Sequence, residues 1–204
     1  MQLVVTPPLH PALELALAHC RSGGVICCPT DTLYGLGGDG TSPDVVKKIL
    51  EIKERSVQNP FSVIFSGWEM AKEYARLSDH EISILQKFTP GPFTFLLPAK
   101  RAIAASAGQL LGCRIPKSEF CLKLAQELGK PLISTSANLH GMAPPASIEE
   151  IDENILQQVS LVVDGGQCIF SKGSTIIDMP HGKIVRRGAG IKDAEKILLK
   201  LAGK

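Results

Sequence analysis

The stretch Val25-Ile26-Cys27-Cys28-Pro29-Thr30-Asp31-Thr32-Leu33-Tyr34-Gly35-Leu36-Gly37 decides how the chain is read. Its first four residues form a short apolar run of the kind that makes a buried strand. The remainder sets two threonines, an aspartate and a tyrosine against a glycine cluster. Pro, Thr, Asp and Gly are also ordinary turn residues, so a plain turn fits the run equally well. Hydroxyls delivered by a strand end into glycine-punctuated backbone instead suit a site for a small polar ligand.

Outward from this run, helical and strand signals alternate. Pro11 opens a helix in which Leu13, Ala16, Leu17 and Cys20 recur at helical spacing, closed by Gly23-Gly24. Ser42 caps a second helix with Pro43 at its first position, and Val45, Val46, Ile49 and Leu50 form the inner face. Phe61–Phe65 reads as a strand, and Ser66 and the capping box Ser78-Asp79-His80-Glu81 start two more helices. Pro90-Gly91-Pro92 breaks the second of these before a strand over Phe93–Leu97. A short strand near Cys113-Arg114-Ile115 leads into a helix from Ser118 to Leu128, stopped by Gly129. Pro131-Leu132-Ile133 then enters a polar loop, Ser134–Asn138, and Ser147-Ile148-Glu149-Glu150 reads as a second capping box. Strands crowd the C-terminal part (161–163, 174–177, 184–186) before a terminal helix from Lys192. The pattern predicts one α/β domain over residues 1–204 with a mixed, twisted sheet, and the late strands argue against a purely alternating doubly wound fold.

With 204 residues, 44% of them hydrophobic and 21% charged, the chain can bury a full core. A net charge of +2 is too mild to argue for nucleic acid by itself, although a local basic site remains compatible with it. No apolar run approaches the roughly 18 residues that span a bilayer. The first eight residues lack a charged leader and a long apolar core, so a cytoplasmic location with no membrane contact is expected. The six cysteines form no CxxC pair and lie mostly in apolar stretches, which predicts reduced core thiols. The five histidines are scattered, giving no support for a dedicated metal site.

Further polar clusters stand at element ends. Lys53-Glu54-Arg55 closes the second helix, where cations commonly complement the dipole. Residues two apart do not share a helix face, so both cations reach one ligand only if the helix ends there, as Ser56-Val57-Gln58-Asn59-Pro60 suggests. A lysine and an arginine together suit a polyphosphate. Ser134–Asn138 could bind phosphate or ribose, or merely cap the next turn; Gly173-Ser174-Thr175 and Arg186-Arg187-Gly188 are similar clusters. No GxxxxGK[ST] loop is present. Gly35–Gly40 satisfies GxGxxG, yet six residues separate it from the strand it should follow directly. There is no GxSxG elbow and no Cys-His arrangement, so hydroxyls outnumber plausible bases; that pattern fits orienting substrates rather than attacking them.

Seven motifs then occur in order: Pro-Thr-Asp-Thr-x-Tyr-Gly-Leu (29–36), Lys-x-Arg (53–55), Pro-Gly-Pro-x-Thr (90–94), Arg-Ile-Pro (114–116), Ser-Thr-Ser-Ala-Asn (134–138), Gly-Ser-Thr-Ile-Ile-Asp (173–178) and Arg-Arg-Gly (186–188). Together they resemble the YrdC-like family over about residues 10–190. The resemblance implies a twisted mixed sheet with flanking helices and a large concave, positively lined cavity. It also implies synthesis of L-threonylcarbamoyladenylate and diphosphate from L-threonine, bicarbonate or CO2, and ATP. This is a nucleotidyl-transfer step that supplies N6-threonylcarbamoylation of adenosine 37 in tRNA by a partner transferase complex. By the same resemblance Lys53 and Arg55 are catalytic and hold the triphosphate, and Asn59, Ser136, Asn138 and Arg187 complete the ATP site. Thr30, Thr32, Tyr34, Arg114, Ser134 and Ser174 line the threonine and bicarbonate site. Mg2+ is expected to arrive with ATP, with no tightly bound organic cofactor. Two departures stand out: Ser56 replaces a common proline, and Ile64 stands where longer relatives place a histidine. The alternatives from other classes are a double-stranded RNA or tRNA-binding module, disfavoured by 5% aromatics and no arginine run, and a divergent carbamoyl-transfer paralogue, disfavoured by the intact Ser136-x-Asn138.

Overall fold

The computed structural model describes residues 4–5, 9–54, 61–106, 108–139 and 141–203. Ten strands and seven α-helices follow in the order β1 (Val4–Val5), α1 (Leu9–Arg21), β2 (Ile26–Pro29), β3 (Tyr34–Gly37), α2 (Pro43–Ile52), β4 (Ser62–Ile64), α3 (Trp68–Tyr74), α4 (Asp79–Leu85), β5 (Phe93–Pro98), β6 (Leu110–Arg114), α5 (Glu119–Leu128), β7 (Leu132–Ser136), α6 (Glu153–Gln158), β8 (Leu161–Val163), β9 (Thr175–Asp178), β10 (Lys183–Arg186) and α7 (Ile191–Ala202). The strands join in one mixed sheet of order β1-β8-β2-β3-β7-β4-β6-β5-β9-β10. Parallel ladders (β2 with β8, β4 with β6, β5 with β9) interleave with antiparallel ones (β2 with β3, β4 with β7, β5 with β6).

Strand alternation assigns the two faces. In β2, Ile26 and Cys28 join a cluster under α1 and α5 with Ala16, Phe120 and Leu124, whereas Cys27 enters the larger core on the opposite side. In the central strands Val63, Phe95, Cys113 and Ile177 belong to that larger core. Their neighbours Ser62, Thr94, Leu96, Gly112 and Ile176 turn the other way and line a cavity. All six cysteines are buried and free, as expected. Burial pushes the thiols of Cys20 and Cys27 up to about 12, with nearby Asp39 and Cys168 respectively adding to it, so both stay protonated at neutral pH.

Local cap chemistry holds where it was strongest. Ser42 accepts from Val45 N with Pro43 at the first helical position. Ser78 and Glu81 form the reciprocal capping box, and Gly129 ends α5 in a left-handed conformation at φ 66°. Several expectations are corrected. Helix α1 begins at Leu9, ahead of Pro11. Ser66 is not a cap, since Gly67 precedes α3 without a side-chain hydrogen bond. Ser147 makes no cap bond either, and 148–150 is a single 3-10 turn in which Glu150 accepts from Ala146 N. The polar loop read at 134–138 is largely strand: Ser134–Ser136 end β7, paired to β4 at Ser62↔Ser134 and to β3 at Gly35↔Ser136. The opening run is likewise half strand, because Tyr34–Gly37 folds back on β2 in register Cys28↔Gly35 and Pro29↔Tyr34.

Candidate active site

The β2–β3 hairpin leaves four residues, Thr30–Leu33, to turn, and the turn is fastened by Thr30. Its Oγ1 accepts from the N–H groups of Thr32 (3.1 Å) and Leu33 (3.2 Å) and donates to Leu33 O (2.8 Å). This side-chain substitute for a backbone turn needs a short hydroxyl residue at that position. It leaves Asp31 wholly buried, with Oδ1 accepting from Arg114 Nη2 and Oδ2 from Lys117 N, both at 2.9 Å. Arg114, at the end of β6, also donates to Thr32 Oγ1 (2.9 Å) and Ser134 Oγ (3.2 Å). An isolated guanidinium could not be buried here; the Asp31 carboxylate and two hydroxyls make its burial tolerable.

This hydroxyl cluster lines a cavity of about 700 Å3 whose lining continues onto Lys53, Ser136, Asn138, Lys172, Ser174, Arg186 and Arg187. Lys53, just past the end of α2, is buried, and its Nζ donates to the carbonyls of Ser136 (2.5 Å) and Asn138 (2.7 Å). Ser136 Oγ donates to Asn138 Oδ1 (2.5 Å), and Asn138 Nδ2 donates to Leu139 O and Met142 O. Asn138 is thereby occupied in holding the backbone of Leu139 and Met142. On the other flank Thr94 Oγ1 and Ser174 Oγ lie 2.8 Å apart, and Arg186 donates to Ser174 O (2.9 and 3.1 Å) and Ser174 Oγ (3.0 Å). Burial, and then the charge of Arg114, pull the Arg186 guanidinium below its usual value, so the two cations sense one another within the cavity. Gly188 has to be glycine: a Cβ there would stand 2.1 Å from Gly173 O, where the chain beyond β10 crosses the approach to β9.

Ten of the twelve residues singled out from sequence therefore share one cavity. Arg55 and Asn59 lie outside the described residues, as does the expected helix-ending segment 56–60. Two placements sharpen the reading. Tyr34 borders the cavity as a residue of β3, but its side chain is fully buried in the larger core and its hydroxyl donates to Gly166 O (3.0 Å) and Asp164 Oδ1 (3.3 Å) while accepting from Gly165 N (3.1 Å). Burial above all, opposed by the Gly165 N–H, keeps that phenol well above its ordinary value and protonated. Arg187 reaches the cavity margin while its Nη2 pairs with Glu195 of α7 at 2.9 Å; its neighbour Arg186 is the more enclosed cation. Lys172, Thr94, Ser62 and Asp31 were not singled out. Thr94 was visible only inside its motif, and Lys172 carried no local signal.

A curved mixed sheet whose polar face, small residues and cations enclose one ligand-sized cavity defines an α/β small-molecule-binding class, with a site that orients and neutralises rather than attacks. The family model for Sua5, YciO and YrdC, described as telomere recombination, matches residues 18–188. The chain belongs to this family. It is 34% identical to the mouse threonylcarbamoyl-AMP synthase, over 92% of this chain and 70% of the mouse protein. It superposes on Pyrococcus abyssi Sua5 complexed with L-threonine with a TM-score of 0.88 at 27% identity, spanning 97% of this chain and 60% of that one. Escherichia coli YciO matches with a TM-score of 0.80 at 26% identity, over 93% of this chain and 96% of its own. The expected fold is borne out by these structures.

Proposed function

We propose that the chain is a threonylcarbamoyl-AMP synthase, joining L-threonine, bicarbonate or CO2, and ATP into L-threonylcarbamoyladenylate and diphosphate. The observation that carries this reading is the cavity in which a hydroxyl cluster and a group of cations meet, with no Cys, His, Asp or Glu among its described lining residues to attack a substrate or activate a serine. In this reaction the substrates attack one another. The neutral threonine amine takes the carbon of CO2, giving a carbamate and releasing a proton; from bicarbonate the same carbamate forms with loss of water in place of the proton. A carbamate oxygen then attacks the α-phosphorus of ATP, and the bond to the diphosphate breaks. The protein's part is to align three reactants and stabilise phosphate charge. A volume of about 700 Å3 falls within the roughly 300–1,000 Å3 usual for ligand sites.

In this reading Thr32, Arg114 and Ser134 receive threonine, and Lys53, Ser136 and Arg186 border the nucleotide, with Arg55, Asn59 and Arg187 assigned there by resemblance. Among the described residues no group of three His, Cys, Asp or Glu side chains could hold a metal ion, so Mg2+ is assigned to the ATP complex. The product's reactive mixed anhydride requires an acceptor, and the tRNA-modifying transferase complex acting on adenosine 37 fills that role in the cytoplasm. No helix among the described residues is long and apolar enough to cross a membrane.

The test incubates the purified chain with ATP, Mg2+, bicarbonate and L-threonine and follows diphosphate and the adenylate. Diphosphate release should require both threonine and bicarbonate; release independent of either one rejects the proposal.

A further inference from the structure

The described lining of the cavity includes five cations, Lys53, Arg114, Lys172, Arg186 and Arg187, and no carboxylate. Four of them are engaged within the protein. Arg114 pairs with the buried Asp31 and Arg187 with Glu195, while Lys53 donates to the carbonyls of Ser136 and Asn138 and Arg186 to that of Ser174. Lys172 is exposed and has no hydrogen bond or ion pair with any described residue.

The backbone on both sides of Lys172 is nevertheless fastened. Cys168 N donates to Ala146 O (2.8 Å) and Phe170 N to Asp31 O (2.9 Å). Ser171 takes a left-handed conformation at φ 45°, with its Oγ donating to Cys168 O and accepting from Gln167 Nε2, both at 2.9 Å. That conformation is strained for a residue with a side chain and persists only where the surroundings impose it. Beyond Lys172, Gly173 O accepts from Ala189 N (2.8 Å) and Ser174 O from Arg186. The loop therefore sets Lys172 on the lining and leaves its ammonium unpaired. Arg186 lies beside it, since a Cβ on Gly173 would stand 3.4 Å from Arg186 Nη2. Like charges held this close repel, and an anion that satisfies both must carry more than one negative charge. Threonine brings one carboxylate and bicarbonate a single charge. ATP brings a polyphosphate, with most of its charge on the two outer phosphates, and a lysine on a flexible stem is a point charge suited to such a group.

We propose that Lys172 contacts the nucleotide and, with Arg186, holds the two outer phosphates of ATP, the part that leaves as diphosphate. The inference rests on the ATP reading above and adds to it a cation that lies just outside the Gly173–Asp178 motif. Lys172→Met keeps the length of the stem and removes the charge, whereas Lys172→Arg keeps the charge.

Calorimetric titration of the wild type and both variants uses three ligands, each alone: ATP with Mg2+, AMP, which lacks the outer phosphates, and L-threonine. Lys172→Met should weaken ATP about tenfold and make its affinity less sensitive to added salt. The same variant should bind AMP and L-threonine within about twofold of wild type, because neither offers the outer phosphates. Lys172→Arg should bind ATP within about threefold of wild type, since the charge is retained. Unchanged ATP affinity in Lys172→Met, equal weakening of ATP and AMP, or an arginine variant as weak as the methionine one overturns the inference while the ATP reading stands. A wild-type chain that binds no ATP overturns both.

Discussion

In the hydroxyl cluster, the guanidinium of Arg114 is paired with the buried carboxylate of Asp31 at 2.9 Å, and nearly every polar group already has its partner within the protein. Across the lining, Lys53 reaches the carbonyls of Ser136 and Asn138, and Arg186 directs its hydrogen bonds to the carbonyl and hydroxyl of Ser174, so that the Arg186 guanidinium is anchored by dipoles. The first arrangement is electrically balanced and recognises shape and hydrogen-bond direction. The second, at Arg186, retains positive potential in a partly desolvated pocket, where Coulombic attraction to phosphate is stronger than in water. One cavity can thus take a small zwitterion and a polyanion without the two competing for the same cation.

The hardest blow to this contrast is Lys53→Ala. It removes a buried cation from the proposed phosphate site and leaves the carbonyls of Ser136 and Asn138 without that donor. Turnover with saturating threonine should fall on the order of a hundredfold. A change of under threefold, measured by diphosphate release, would remove Lys53 from the phosphate site.

Arg186→Gln should have a smaller effect, because Gln can still donate to Ser174 while the charge is lost. KM for ATP should rise about tenfold and KM for threonine little. Arg187→Gln should do less, since that side chain is largely exposed and already shared with Glu195. The reverse ranking would show that Arg187 is the nucleotide contact, as the family resemblance alone suggested.

That pair of arginines illustrates how far sequence can be read. The cluster Arg186-Arg187-Gly188 was legible as a cation site, but the register shift between Ile184 and Arg186 breaks the two-residue period that would say which arginine faces inward. The caps at Ser42 and Ser78 were legible because their chemistry is complete within four residues. Strands β3 and β7 were hidden for the opposite reason. The exposed-face and core-face pattern that marks a strand disappears where a sheet faces a ligand: Ser134–Ser136 are all polar, and in β3 a Cβ on Gly35 would stand 3.1 Å from Thr135 O. Asp31 was read as one polar residue of the opening run and given no role, because its partner Arg114 lies 83 residues away in sequence.

Tyr34 ties the strand behind the cavity to the loop beyond β8. Tyr34→Phe keeps the ring in the core and removes the hydroxyl that joins β3 to residues 164–166. Unfolding in urea should show a loss of about 1 kcal/mol, since Gly165 N–H and Gly166 O lose a neutral partner at a partly buried site. Amide exchange around 164–174 should quicken at the same time. Equal stability with faster exchange would mean that the hydroxyl orders the loop without contributing to the global fold.

The smallest effect tests whether balanced charge matters only when buried. Asp39 and Lys130 pair at 2.6 Å away from the cavity lining, with the lysine side chain about half exposed, in contrast to Asp31 and Arg114. Burial alone would raise the Asp39 carboxyl, but hydrogen bonds from Lys130 and from the hydroxyl and N–H of Thr41 hold it below the ordinary value. A carboxylate depressed in the folded state contributes stability that is complete above the unfolded value of about 3.9 and is lost as pH falls through the lower folded value. Lys130→Ala should therefore cost under about 1 kcal/mol at pH 7, with solvent screening keeping it small. The difference from wild type should shrink as pH drops below about 4. A gap that stays constant from pH 7 to pH 3 would assign the cost to lost packing of the lysine stem, and the contrast between buried and half-exposed pairs would then rest on Asp31 alone.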